Sequence, residues 1–358
     1  MTAPGHPAAP EAAVRVPVRP ALRTLLTTGD PNGVGPELAV RAVRELGTGA
    51  PVVVGDRHVV GHYAARSGLR VREGDGTAVA EADVLDLLPV PEALPPAAFR
   101  PGEIRAEAGA ATIAALRTAV AAVQAGRARA VVGCPHSEEA VNAAGIRFSG
   151  YPSLLARLVG VAQERVCLLL VGGGLRIVHA SLHQRLADAT GELTPQRVGH
   201  AARAAHAYLT GTGIAAPRIA VFGINPHAGE GGLFGDDDQR VTEPAVRMLR
   251  AEGIDVHGPF GADMVLGDRT GERRFDAYVA MYHDQGHIPV KLLAGRGAAA
   301  LAVGAALVFA SVGHGTAFDI AGRGVADPSA VLTALRLTAG TAPSAPPADP
   351  AHSGETRP

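Results

Sequence analysis

The alternation of short apolar runs with helical segments is the feature that most restricts how this chain can fold. Apolar runs typical of buried strands recur along the 358 residues, and most of them lead through a glycine-rich or polar loop into a helical segment. Such alternation is typical of βαβ units, in which helices cover both faces of a mostly parallel sheet. The sequence therefore predicts an α/β fold with a doubly wound sheet or sheets, with function at the carboxyl ends of the strands.

The composition restricts the classes of partner. A formal net charge of -1 gives no general attraction to nucleic acid or to membrane surfaces, so we expect a small-molecule substrate and other copies of this chain as partners. No run approaches the ~20 apolar residues of a membrane span, and the N-terminal segment lacks the apolar core of a secretory signal. Cys134 and Cys167 lie in apolar runs and are interpreted as buried, reduced thiols. Together these features predict a cytoplasmic protein.

The segment DAYVAMYHDQGHIPVK concentrates groups that can do chemistry. Its apolar run, residues 278–282, predicts a buried strand that stops at His283, Asp284 and Gln285, and the following glycine is predicted to turn the chain toward Lys291. Strand ends that carry an imidazole, a carboxylate and an ammonium are where α/β proteins place their sites. Lys291 is interpreted as a general base or an anion anchor, with a surface salt-bridge partner as the alternative.

Two further loops follow predicted strands. The loop in GDPNGVGPE leads into a helix predicted to begin near Pro36, and its glycines can bring backbone N–H groups close to an anion. The loop in NPHAGEGG has glycines that let the backbone wrap closely, and it supplies His227 and Glu230 at a strand end. The acidic run at residues 236–238 is interpreted as a solvated loop.

Three histidines are candidate metal ligands because each follows an apolar run: His183, His227 and His283. Three neutral imidazoles that leave an open position would suit a catalytic divalent metal. Spacing alone does not decide between this interpretation and hydrogen-bonded core or surface histidines. His179 and His183 have the i, i+4 spacing of a helical zinc site, but their segment predicts a strand, so that pair is discounted.

Five strings occur in order along the chain: GDPNGVGPE, NPHAGEGG, GADM, AMYHDQGHIPVK and GHGTAFDIAGRG. In this order they resemble the 4-hydroxythreonine-4-phosphate dehydrogenase (PdxA) family, over roughly residues 22–337. The resemblance implies two α/β/α domains flanking a cleft, as in isocitrate and isopropylmalate dehydrogenases. Domain 1 would comprise residues 22–146 with 322–340 and domain 2 residues 147–321, between disordered tails at 1–21 and 341–358.

The same resemblance implies cofactors and site residues. It implies NAD or NADP, a divalent metal (Zn, Co, Mn or Mg) held by domain 2, and a homodimer with the active site at the subunit interface. The metal ligands would be His183, His227 and His283, although the family's HLPL string is HQRL at the first of these. The catalytic residues would be Lys291, Asp284 and Asp263. The cofactor-binding residues would be His314, Gly315, Thr316, Asp319, Gly229 and Glu230.

Departures from the family pattern concentrate on the positions that bind the substrate. The family's His-Thr pair becomes Tyr151 and Pro152, and its substrate-binding Asn and Arg align with Ala300 and Phe309. Each charge-assisted hydrogen bond to a phosphate is worth ~1.5–3 kcal/mol. Loss of two such bonds would weaken phosphate binding by roughly a hundredfold or more. We therefore predict a divergent member with an altered pocket, formed by these four residues and Lys291.

The predicted function is metal-dependent, NAD(P)-linked oxidation of a non-phosphorylated hydroxy acid, with decarboxylation and with cyclic hydroxy acids among the candidate substrates. A catalytically silent binding or scaffold protein of the same family is one alternative. A metal-dependent lyase or decarboxylase without redox chemistry is another. Retention of His183, His227, His283, Asp284 and Lys291 favours an active enzyme over a silent one.

Overall fold

The computed structural model describes residues 22–91, 94–148, 150–267, 275–305 and 307–339, so both predicted tails lie outside the described residues. Its strands are β1 (Thr24–Thr27), β2 (Val52–Gly55), β3 (Arg70–Glu73), β4 (Val84–Pro89), β5 (Ala130–Gly133), β6 (Cys167–Gly172), β7 (Leu175–His179), β8 (Ile219–Phe222), β9 (Val256–Phe260), β10 (Ala277–Ala280), β11 (Ala299–Val303) and β12 (Val308–Val312). Its α-helices are α1 (Gly35–Leu46), α2 (Arg57–Arg66), α3 (Ala106–Gln124), α4 (Glu138–Ala143), α5 (Tyr151–Val159), α6 (Leu186–Gly191), α7 (Pro195–Gly211), α8 (Glu243–Ala251), α9 (Ala262–Gly267), α10 (His283–Ala294) and α11 (Ser329–Thr338).

The strands form one sheet in the order β3-β4-β2-β1-β5-β12-β11-β6-β7-β10-β8-β9. Pairing is parallel except around β11, which runs antiparallel to both β12 and β6, and between β6 and β7. The predicted α/β fold is confirmed. The boundary between the two predicted domains falls between β5 and β12, which pair directly with Val308 opposite Ala130. The division into two domains stays a prediction.

Local sequence explains where several helices begin. Proline occupies the first turn of α1 and of α7, where its missing N–H costs nothing. Thr194 caps α7 by accepting a hydrogen bond from the Arg197 N–H, and Ser137 does the same for Ala140 at the start of α4. Helix α1 begins at Gly35, close to its predicted start near Pro36.

Helix α3 is the one helix in the described part of the chain long and apolar enough to cross a membrane. It packs instead against β1, β2 and β5, with buried side chains such as Ile113, Leu116 and Val120. The two cysteines are free and buried, as predicted. Burial raises the pKa of the Cys167 thiol to about 12, so it is protonated at neutral pH.

The turn predicted after Gln285 is wrong, because α10 continues as a regular helix through Gly286 and Pro289 to Ala294. Gly286 faces β7 at very close range: a Cβ added there would lie 2.3 Å from His179 Nε2 and 2.9 Å from Ile177 Cγ2. The glycine therefore permits a close helix–sheet contact and does not end the helix.

Candidate active site

Three predicted ligands follow three strands that are neighbours in the sheet. Strand β10 pairs in parallel with β7 on one side and with β8 on the other. His183 follows β7, His283 is the first residue of α10 after β10, and His227 follows β8. The carboxyl ends of parallel strands meet at one edge of the sheet, so all three histidines belong to the same edge.

His183 and His283 come together. Their ring centroids are 5.2 Å apart at an interplanar angle of 45°. His283 Nδ1 lies 2.6 Å from Asp284 Oδ1, so Nδ1 donates to the carboxylate and Nε2 is left free for another ligand. The same hydrogen bond lowers the pKa of the exposed Asp284 carboxyl. Partial burial lowers the pKa of His183, and the neighbouring His283 lowers it further, which favours the neutral form of His183.

His227 lies on a loop with unusual backbone geometry. Six consecutive residues, 227–232, have positive φ, and three of them are not glycine: His227 at 52°, Ala228 at 53° and Glu230 at 45°. Each non-glycine residue in this region costs ~1–3 kcal/mol, and such strain is concentrated at functional sites. His227 is 59% exposed, and its Nδ1 lies 2.9 Å from Glu230 Oε2, which again leaves Nε2 free.

A buried carboxylate supports the start of this loop. The acidic run at residues 236–238 is interpreted from the sequence as a solvated loop; Asp236 and Asp237 are 65% and 41% exposed, but for Asp238, which is fully buried, the interpretation is wrong. The Asp238 carboxylate accepts hydrogen bonds from the Ile224 N–H (2.8 Å), the Asn225 N–H (3.0 Å) and the Thr242 hydroxyl (2.6 Å). The charge of Asp238 predicted exposure to solvent, but backbone N–H donors that follow β8, far away in the sequence, make burial of its carboxylate possible.

The other two predicted catalytic residues lie near these histidines. Lys291 is exposed in the last turn of α10, and its positive charge lowers the pKa of His183 and of His287. Asp263 lies in the first turn of α9. A Cβ added to Gly261 would lie 3.0 Å from Asp263 Oδ1 and 3.7 Å from His227 Cα, so Asp263 and His227 are on either side of Gly261. Asp263 thus flanks the His227 loop.

Three residues at this edge are given no role in the site by the sequence alone: Gln285, His179 and His287. Gln285 accepts a hydrogen bond from the Met281 N–H (2.7 Å) and donates to Gly223 O (2.8 Å), so it joins the β10–α10 junction to the end of β8. His179 and His287 form a buried pair behind His283, with His287 Nδ1 3.1 Å from His179 Nε2. The i, i+4 spacing of His283 and His287 was the one available signal.

The predicted cofactor loop, residues 314–324, is held against the N-terminal half of the chain. Glu37 Oε2 accepts hydrogen bonds from Gly322 N–H (3.1 Å) and Gly324 N–H (3.2 Å). Thr316 O accepts one from Val34 N–H at 2.9 Å. Among the predicted cofactor residues, Thr316 is buried, His314 is half-buried, and Gly315 and Asp319 are exposed. Gly229 and Glu230 belong to the separate His227 loop.

The altered substrate positions do not form one surface in this structure. Tyr151 and Phe309 are buried, and their rings pack together with centroids 4.6 Å apart. Ala300 lies in a different part of the core, with Leu170 and Val290 as neighbours in its cluster. Tyr151 and Pro152 begin α5, directly after Gly150, where an added Cβ would lie 3.6 Å from His183 Nδ1. Direct contact of these four residues with substrate stays a prediction.

One chain brings together two of the three predicted metal ligands, His183 and His283. Within the described ranges no group of three or more His, Cys, Asp or Glu side chains is arranged to hold a metal ion, so His227 does not join the other two. His283 and His227 each keep a free Nε2 because Nδ1 is bonded to a carboxylate, which is the pattern typical of histidines that bind metals.

An edge of a mostly parallel sheet with several histidines and a glycine-rich loop is where α/β proteins place their functional sites. The family model described as "Pyridoxal phosphate biosynthetic protein PdxA" matches residues 48–338, and the chain belongs to this family. The predicted resemblance is therefore confirmed.

Three relatives show how similar known members are. The chain is 46% identical over 315 residues to the "1,2-dihydroxy-3,5-cyclohexadiene-1,4-dicarboxylate dehydrogenase" of Comamonas sp, covering 88% of this chain and 96% of the relative. It is 48% identical in sequence to a terephthalate 1,2-cis-dihydrodiol dehydrogenase from Burkholderia xenovorans LB400, whose crystal structure matches with a TM-score of 0.69 over 89% of this chain and 98% of that chain. It is 34% identical to the 4-hydroxythreonine-4-phosphate dehydrogenase of Klebsiella pneumoniae (TM-score 0.79; 88% and 98% covered).

Proposed function

We propose that this protein is an NAD(P)-linked, metal-dependent dehydrogenase that oxidises a cyclic dihydrodiol carboxylate without a phosphate group. The observation that carries the proposal is the aromatic packing of Tyr151 against Phe309, where the family pattern has polar phosphate-binding residues. Two relatives whose names specify a cyclohexadiene dihydrodiol are 46% and 48% identical to this chain. Relatives whose names specify a phosphorylated substrate are 34% to 41% identical.

The chemistry of such a diol explains why oxidation and decarboxylation would be linked. Removal of a hydride and a proton from the secondary alcohol leaves a ketone next to the carbon that bears the carboxylate. The bond from that carbon to the carboxylate then breaks, CO₂ leaves, and the electron pair forms an enol as the ring becomes aromatic. When bound, the oxidised nicotinamide would accept the hydride and a divalent metal would polarise the reacting oxygen.

The residues of this chain would have separate roles. His183 and His283 would hold the metal from one side, with Asp284 fixing the His283 tautomer through its 2.6 Å hydrogen bond. Lys291 would act as a general base or bind a substrate carboxylate, since it is exposed and its charge reaches His183. Residues 314–324, held by Glu37, would bind the adenosine part of the cofactor.

A homodimer would complete the site. His227 stands apart from the other two histidines within one chain. The outer surface of α10 exposes Ile288 (55%), Leu292 (79%) and Leu293 (55%), beside the strand end that carries His283. Apolar side chains grouped in this way are typical of a surface that another protein covers. A second copy that packs on α10 would bring its own strand-end histidines toward this site.

The test is a substrate comparison with the purified protein. Reduced nicotinamide and CO₂ are measured with NAD or NADP and with Zn²⁺, Co²⁺, Mn²⁺ or Mg²⁺, for the cis-dihydrodiol of terephthalate and for 4-phosphohydroxythreonine. We expect kcat/KM to favour the dihydrodiol by about 100-fold or more, the equivalent of two lost charge-assisted hydrogen bonds. Preference for the phosphorylated substrate would overturn the proposal, and CO₂ without reduced nicotinamide would identify a non-redox decarboxylase.

A matched variant sharpens this test. Restoring the family's His-Thr pair with Tyr151→His and Pro152→Thr should lower kcat/KM for the dihydrodiol and raise it for the phosphorylated substrate. Val159→Ala, at the far end of the same helix, serves as the control for general damage to α5. If the double variant and the Val159→Ala control changed kcat/KM equally, residues 151 and 152 would not select the substrate.

A further inference from the structure

A row of hydrogen bonds lies directly behind His283. His179, the last residue of β7, and His287, in the second turn of α10, are both buried, with 1% and 9% of their surfaces exposed. His179 Nδ1 lies 3.2 Å from Leu168 O, and His179 Nε2 lies 3.1 Å from His287 Nδ1. His287 Nδ1 also lies 3.1 Å from His283 O. Both ring nitrogens of His179 are thus engaged.

The direction of these hydrogen bonds follows from the chemistry of the groups. A carbonyl oxygen only accepts, so His179 Nδ1 carries the hydrogen and donates to Leu168. His287 Nδ1 lies 3.1 Å from His283 O, which also only accepts, so Nδ1 carries a hydrogen and His179 Nε2 is the nitrogen that accepts from it. Only one arrangement of hydrogens satisfies the row, and it fixes the plane of the His287 ring.

The fixed ring of His287 supports the ring of His283. The two imidazoles are stacked with centroids 3.7 Å apart and an interplanar angle of 12°. His283 is therefore held on one face by His287 and at Nδ1 by Asp284. With these two constraints, the position of His283 Nε2 is determined.

The backbone is adapted to this arrangement at Gly286. A side chain at that position would place its Cβ 2.3 Å from His179 Nε2, in the middle of the hydrogen-bonded row. Glycine in a helix interior is destabilising relative to alanine. The helix nevertheless has glycine here, where the next residue, His287, must reach His179 on β7.

We propose that His179 and His287 are a positioning pair that fixes the orientation of the His283 ring so that its Nε2 can bind a ligand. The inference rests on the proposed function, in which His283 binds the metal. A purely structural polar pair would instead stabilise the packing of α10 on β7 without affecting metal binding. Metal affinity and the tautomer of His283 distinguish these two roles, because neither depends on overall stability alone.

The test measures Co²⁺ affinity of metal-free full-length protein by competition with a chromophoric chelator. His287→Leu should weaken binding about 10- to 100-fold, the range observed when outer-shell partners of a metal ligand are removed. His287→Phe keeps a flat ring against His283 and should recover part of that loss. His206→Leu, on the separate helix α7, is the matched control and should leave the affinity unchanged. Wild-type affinity in His287→Leu, or no recovery in His287→Phe, would overturn the proposal.

A second measurement separates this inference from the proposed function. If the wild-type protein binds no Co²⁺, the metal-dependent function fails, but the orientation of His283 can still be measured by ¹⁵N NMR of its imidazole. We expect a single Nδ1–H tautomer in the wild-type protein and an average of both tautomers in His287→Leu. Identical His283 signals in the two proteins, with both folded by circular dichroism, would overturn the positioning role.

Discussion

Two groups of loops at the carboxyl edge of the sheet use their polar residues in opposite ways. The β1 loop, residues 28–34, buries its polar groups: Asp30 and Asn32 are fully buried, and Glu37 in the following helix is 4% exposed. The histidine edge, formed by the loops after β7, β8 and β10, keeps His227 59% and His283 33% exposed. Both carry strings that are typical of the family, so a family string does not by itself identify a ligand-binding residue.

The difference follows from what the polar atoms contact. In the β1 loop and α1, Asn32 and Glu37 bind backbone groups of distant segments, such as Asn32 Oδ1 with Arg100 N–H at 2.7 Å. At the histidine edge, carboxylates bind one nitrogen of His227 and of His283 and leave the other free. Substitutions in the β1 loop should therefore change mainly stability, and those at the histidine edge mainly activity.

The largest effect is expected for His283→Ala. If His283 binds the metal, activity should fall by more than about 100-fold, because even outer-shell partners account for 10- to 100-fold. The unfolding transition should shift little, because the side chain is one-third exposed. Steady-state kinetics and thermal denaturation measure the two quantities. If the variant lost much of its stability but kept its activity, the role of His283 would be to stabilise the fold.

Asp238→Ala tests an architectural residue within the histidine edge. Its removal leaves two part-buried backbone N–H groups and one buried hydroxyl without this acceptor, at ~1–3 kcal/mol each. We expect the free energy of unfolding to fall by about 3–6 kcal/mol in urea denaturation. Asp236→Ala, an exposed neighbour, should change it by less than about 0.5 kcal/mol. Equal effects of the two variants would contradict the role given to Asp238.

Glu37→Ala should have the next largest effect, on stability and on the predicted cofactor loop. Two N–H groups, of Gly322 and Gly324, lose their acceptor, which corresponds to about 2–4 kcal/mol. Hydrogen exchange of residues 314–324 should accelerate, and KM for the dinucleotide should rise. The control is Glu45→Ala, exposed on the same helix. Unchanged exchange in Glu37→Ala would show that the loop is held by other contacts.

The smallest effect, and one that depends on pH, is expected for Asp30→Asn. Burial raises the pKa of Asp30 to about 6 from its usual 3.8, and Oδ2 has no hydrogen-bond partner among the residues that the structure describes. The folded protein therefore binds this proton more tightly than the unfolded chain, so ionised Asp30 destabilises the fold above pH 6, and the penalty disappears as the pH falls toward 4.

Asp30→Asn should accordingly stabilise the protein by about 1–3 kcal/mol at pH 8 and by little at pH 4.5, measured by urea denaturation at both pH values. Asp83→Asn, on an exposed loop, should show no such pH dependence. A stabilisation independent of pH would mean that Asp30 is not the titrating group.

Much of the fold was determined by local sequence. The alternation of apolar runs with helical segments predicts the α/β class, and proline and threonine near the helix starts predict where α1 and α7 begin, because these signals act within a few residues. The positions of His183, His227 and His283 beyond apolar runs place them at strand ends. The family strings add the expected chemistry, although the site roles drawn from them remain predictions.

Only the tertiary structure decided which distant groups meet. The order β7-β10-β8 brings three histidine loops to one edge, and β11 enters antiparallel between β12 and β6. His179 and His287 are 108 residues apart, and Glu37 and Gly322 are 285 apart. Strand order and helix packing bring such distant groups together, and the local pattern of the sequence does not predict these contacts. For this reason the sequence located the candidate ligands, while the residues that hold them were found only in the folded chain.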